Sequence, residues 1–117
     1  MPRVVYRIVL HDPPTDVDYL TYEQQGRAVD IDNDEALRMS KGLSIYLSLA
    51  VARKRAKGLP WKGQAFIAEY VLPDEDDRIV IEQTGVRRSH YTVWCDASIL
   101  QRALSRVVPV KEDQGDI

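Results

Sequence analysis

One cysteine in 117 residues, Cys95, excludes an intramolecular disulfide framework and a cysteine-rich zinc site. Histidine is nearly as scarce, with only His11 and His90, so the chain predicts no catalytic metal. No run approaches the roughly 18 consecutive apolar residues that a spanning helix needs, and Met1-Pro2-Arg3-Val4 lacks a signal peptide's apolar core. The expectation is a cytoplasmic protein with no membrane partner, although export by a dedicated toxin machine would leave no such signal. Charge of one sign is also missing: the net charge is −2 and the pI near 5.6, which removes any global electrostatic case for nucleic acid or an anionic surface.

What is present is ordinary for a folded chain, with 44% hydrophobic and 29% charged residues. The length predicts one domain over residues 1–110, followed by a polar tail at 111–117.

Val4 to Leu10 reads as a buried strand, with Arg7 as its anomaly. A helix is expected after Thr15, whose spacing to Asp18 resembles a capping box, with Gly26 as its stop. The acidic stretch Asp30 to Glu35 lacks the central glycine and terminal glutamate of a calcium loop, and predicts a short helix capped by Asp32 or Asn33 and ended at Gly42. Gly42 to Ser48 alternates as a half-buried strand does, Leu43, Ile45 and Leu47 against Ser44, Tyr46 and Ser48. Ala50 to Lys57 predicts a helix ended by Gly58, whose late cations Arg53, Lys54, Arg55 and Lys57 suit the dipole.

Strands are expected at Gly63 to Leu72 and Arg78 to Gln83, paired across the Pro73 to Asp77 turn. A further strand, Ser89 to Trp94, precedes a helix capped by Asp96, and Val107 to Val110 closes the chain as an edge strand because of Pro109. The order predicts an α+β domain with small mixed or antiparallel sheets and three to four short helices.

Chemistry is expected where polar residues interrupt apolar strands. Arg7, Ser44 with Tyr46, and Glu82 with Gln83 are such residues on three separate strands. A buried arginine is costly unless paired, so Arg7 either meets a carboxylate such as Glu82 or faces a cleft for an anion. His90 is expected near Glu82 across a hairpin, as an acid–base partner or a residue bonded to backbone. Cys95 reads as a small core residue, His11 as a turn residue, and Trp61 and Trp94 as core or interface aromatics.

In that order, Tyr6-Arg7, Gly42-Leu43-Ser44-Ile45-Tyr46-Leu47-Ser48 leading into a helix, and Glu82-Gln83 resemble the ADP-ribosyltransferase-like fold of bacterial toxins and NAD-using effectors. The resemblance implies NAD as a substrate and cleavage of the nicotinamide–ribose bond through an oxocarbenium-like state. It casts Glu82 and Tyr46 as catalytic, and Arg7, Ser44, Gln83 and His90 as NAD-binding. The acceptor it implies is an unknown protein or nucleic acid, with a cognate regulator as a further partner. The family's Ser-Thr-Ser signature is replaced here by Ser44-Ile45-Tyr46, and its Glu-x-Glu or Gln-x-Glu pair, which goes with arginine-directed transfer, is absent. Two rival readings stand beside it: a non-catalytic interaction or regulatory module using Tyr19, Tyr22 or the Pro109 edge, and local nucleic-acid binding through Arg53, Lys54, Arg55, Lys57 and Lys62.

Overall fold

A computed structural model describes residues 3–58, 65–85 and 87–110. The sequence's first strand forms as β1, Arg3–Val9, and lies antiparallel to β3, Phe66–Leu72, over seven register pairs from Arg3↔Leu72 to Val9↔Phe66. The other edge of β3 takes β6, Leu104–Pro109, so the first sheet runs β1-β3-β6. Both edges of β3 are thereby occupied. That is why β4, Val80–Gln83, does not pair with β3 as the intervening turn suggested. It pairs instead with β5, Tyr91–Trp94, which also takes β2, Leu43–Ile45, to give a second antiparallel sheet β2-β5-β4.

The sheets meet where β1 touches β2: Tyr6 and Tyr46 exchange two backbone hydrogen bonds of 2.8 Å. Their apolar faces share one core, in which Val5, Val9, Ala68, Tyr70 and Leu72 of the first sheet meet Leu43, Ile45 and Val93 of the second. Helix α3, Ala97–Ala103, seals it with Leu100, which has no exposed surface. Asp96 precedes this helix without making the expected side-chain cap, and β6 begins directly after it at Leu104. On the far side of the first sheet, α2, Leu49–Lys57, lays Ala52 and Ala56 against Ile67 and Val110. The strand expected to run to Ser48 ends at Ile45: Leu47 is exposed, and Ser48 is the cap of α2, accepting from Val51 N–H.

Helix α1, Asp34–Met39, begins at the expected cap, with Asn33 Oδ1 accepting from Ala36 N–H at 3.0 Å. The helix expected after Thr15 is only one 3₁₀ turn, Asp16–Tyr19. Little apolar surface was available to hold a longer one. Asp18 still closes the expected capping box, its carboxylate accepting from Thr15 N–H at 3.0 Å, and it also ties the end of β1, accepting from Leu10 N–H at 2.8 Å and meeting His11 Nδ1 at 2.9 Å. The architecture is a small α+β domain of two three-stranded antiparallel sheets and three α-helices among the described residues. No helix there is long and apolar enough to cross a membrane. Gly63, Trp61, Lys62 and the 111–117 tail lie outside the described residues.

Candidate functional site

Directly opposed residues on antiparallel strands point their side chains to one face. Ser44, Thr92 and Glu82 form such a row across β2, β5 and β4. Counting by twos along each chain adds Tyr46, His90 and Thr84 to the same face. The opposite face carries Leu43, Ile45, Val93 and Ile81 into the core, so the second sheet is apolar beneath and polar above. The polar face looks into a cleft of about 660 Å³, roofed by the segment after β1 and by α1.

Arg7 enters this cleft from β1, on the strand face that otherwise holds Val5 and Val9. It forms no ion pair with Glu82. Its Nε and Nη2 donate to the carbonyl of Asp18 at 3.2 and 2.9 Å, and Nη1 donates to the carbonyl of Ser44 at 2.9 Å. Among the described residues, three of five guanidinium donors thus go to backbone carbonyls and none to a carboxylate. Burial lowers the pKa of Arg7, opposed by Tyr70 and Asp18 nearby. Arg27, Arg55 and Arg87 also line the cleft, against the two aspartates Asp18 and Asp30. A chain of net charge −2 has gathered four arginines in one concavity, a focused positive field.

Ser44 and His90 stand together on the cleft floor, Ser44 Oγ to His90 Nε2 at 2.9 Å. His90 Nδ1 lies 3.1 Å from Thr84 Oγ1 and 3.3 Å from the Thr84 carbonyl, and Thr84 Oγ1 lies 2.7 Å from Thr92 Oγ1. Burial depresses the His90 pKa, partly countered by the Thr84 carbonyl, and Arg55 lowers it further. Tyr46, only 5% exposed, sets its ring edgewise on His90 at 5.9 Å between centroids. Burial raises the Tyr46 pKa, while a hydrogen bond from Arg55 lowers it.

No family model, curated protein or solved structure matches this chain. The arrangement therefore stands on its own geometry.

Four predicted residues, Arg7, Ser44, Tyr46 and His90, meet in the cleft. Glu82 and Gln83 lie elsewhere. Glu82 occupies an adjoining depression of about 460 Å³, where Arg38 Nη1 donates to its Oε1 at 2.7 Å and holds its pKa down. Arg38 also stacks on the Trp94 ring at 4.1 Å, so Trp94 serves this corner and not the cleft. Gln83 donates to the carbonyls of Thr84 and Arg87 and clamps the β4–β5 loop. His90 faces Thr84, not Glu82, across the hairpin.

The sequence places Arg55 among the late cations that suit the helix dipole. In the structure it lines the cleft, and its place three residues after the buried Ala52 on α2 was the signal that it points inward. Cys95 is partly buried and its thiol is pushed up to about 11 by burial, which leaves it unreactive. Tyr19 is core, its hydroxyl accepting from the Tyr70 hydroxyl at 3.0 Å, whereas Tyr22 is exposed at the cleft mouth. No group of three metal-ligating side chains occurs among the described residues.

Proposed function

We propose that the cleft binds NAD and that its chemistry is cleavage of the nicotinamide–ribose bond, as in an ADP-ribosyltransferase-like toxin or effector. The observation that carries this reading is Arg7, a partly buried cation whose hydrogen-bond partners among the described residues are carbonyls, beside three further arginines in a concavity of dinucleotide size. The two remaining N–H groups of Arg7 would hold the diphosphate. Ser44 would bond the nicotinamide amide or a ribose hydroxyl, and the Tyr46 and His90 rings would flank the base.

Glu82 is the carboxylate for the developing ribosyl cation. Along the row Ser44, Thr92 and Glu82 it stands two strand spacings from Ser44, about 9–10 Å, a span that one dinucleotide covers. Met39 and Gly85 line both depressions, so the two adjoin, and an extended ligand would reach Glu82 across this shared wall, where Gly85 N–H donates to Glu35 Oε1 at 3.1 Å. Glu82 would then exchange Arg38 for the ribose.

Isothermal titration with NAD, followed by nicotinamide release, tests the assignment in its two parts. Arg7→Met should lose binding and turnover together, whereas Glu82→Gln should keep binding and lose turnover. A folded wild-type protein that neither binds nor consumes NAD would overturn the reading. The rival reading, a non-catalytic interaction module, is favoured by exposed Leu10, Val17 and Tyr22 on the cleft mouth. It predicts a partner protein that protects these residues and no effect of NAD on stability.

A further inference from the structure

We propose that Ser44 is a nucleophile activated by His90, and that the cleft turns over activated acyl or phosphoryl esters carrying an anionic group. The inference is independent of NAD. It rests on the ordered chain Ser44, His90 and Thr84, which has the three parts of an activated hydroxyl: a nucleophile, a base within hydrogen-bond reach, and a third group that orients the base.

The tautomer follows from the partners. The carbonyl of Thr84, 3.3 Å from His90 Nδ1, has no proton to give, so Nδ1 carries the hydrogen. The Thr84 hydroxyl at 3.1 Å accepts from the same N–H and passes its own proton toward Thr92 Oγ1, 2.7 Å away. Nε2 is left with a lone pair directed at Ser44 Oγ at 2.9 Å. The hydroxyl proton of Ser44 therefore points at a base and not at solvent.

The surroundings hold this pair in place. The Tyr46 ring packs edgewise on the imidazole. Gln83 ties the loop carrying Thr84 and Arg87 through two side-chain bonds, and Gly85 supplies the positive φ of 76° that the turn requires. Ser44 is anchored through its own carbonyl, which accepts from Arg7 Nη1 at 2.9 Å. Arg7 lines the same cleft as Ser44, so its guanidinium is the cation available to the negative charge that would develop on a carbonyl or phosphoryl oxygen. Among the described residues, the charged and titratable groups that act on His90 are Arg55 from α2 and Tyr46, which follows β2, while Arg87 of the loop lines the same cleft.

The step balances without a cofactor. Ser44 Oγ bonds to the acyl carbon or phosphorus as its proton moves to His90 Nε2. The leaving group departs with its bonding electrons, and an alkoxide takes the proton back from the imidazolium. Water then attacks the acyl-enzyme by the same route in reverse and restores Ser44.

An alkyl fluorophosphonate tests the claim directly, because Oγ–P forms, P–F breaks, fluoride leaves and the proton stays on His90. Intact mass and peptide mapping of the full chain should show one adduct, on Ser44, absent from Ser44→Ala. In His90→Gln, with folding checked by circular dichroism, labelling should slow by about 100-fold or more. The wild-type rate should fall with acid as His90 protonates below its usual range, a profile that needs no variant to fold. An unlabelled Ser44 in the folded wild type, a His90→Gln rate equal to wild type, or a pH-independent rate would each overturn the proposal. Nicotinamide release from NAD, measured separately, leaves this outcome unaffected.

Discussion

Replacing Arg7 in two ways separates a structural bolt from a ligand-binding cation. Arg7 makes three donor bonds to two carbonyls, those of Asp18 and Ser44. Against them stands the desolvation of a cation with no carboxylate in hydrogen-bond contact among the described residues, a cost of several kcal/mol. Arg7→Lys keeps the charge but not the fork, so it loses at least one carbonyl, about 1.5–3 kcal/mol for a charged bond, with no relief of desolvation. Arg7→Met loses all three bonds and strands two carbonyls at about 1–3 kcal/mol each, but removes the desolvation cost altogether. The methionine variant should therefore lie within about 2 kcal/mol of wild type and be at least as stable as the lysine variant. Urea unfolding at 25 °C followed by circular dichroism measures both. A methionine variant less stable than the lysine variant by more than about 1 kcal/mol would refute the reasoning, because the three bonds would then outweigh the buried charge.

Three further outcomes follow from the geometry. A Cβ at Gly42 would lie 2.9 Å from both Trp94 Nε1 and the Val93 carbonyl and closer still to Thr92 Cγ2, so Gly42→Ala should cost about 1–3 kcal/mol by overpacking. A melting temperature within a degree of wild type would contradict the close β2–β5 approach. Glu82→Ala removes an exposed partner of Arg38 on an edge strand, and thermal melts should barely move. The depressed pKa of His90 means the unfolded chain binds the extra proton first, so stability is complete above about pH 6.5 and falls as acid is added below it. Urea midpoints between pH 7.5 and 5.5 should show that loss shrink in His90→Gln; an identical slope in the variant would contradict it.

Much of this fold was legible because it depends on local pattern. The alternation of Leu43 and Ile45 against Ser44 and Tyr46 placed the polar face of the second sheet correctly, and Arg7 stood out as a cation on a core strand. Strand pairing was not legible in the same way. A short turn made β3 and β4 look like a hairpin, but β1 and β6 hold both edges of β3, and that competition exists only in three dimensions. The site shows the same division. Pattern found Arg7, Ser44, Tyr46 and His90 separately, whereas the choice of Thr84 over Glu82 as the histidine's neighbour depends on register across the β4–β5 hairpin. Asp18 was legible as the capping-box partner of Thr15 but not as the tie for the end of β1, and too little apolar surface followed it to hold a full helix.

The most direct test of the central claim is amide chemical-shift mapping of the ¹⁵N-labelled protein during titration with NAD. Saturable shifts should concentrate at Arg7, Ser44, Tyr46, Thr84 and His90, and should disappear in Arg7→Met. An unchanged spectrum at millimolar NAD, or shifts confined to residues outside the cleft, would contradict the account.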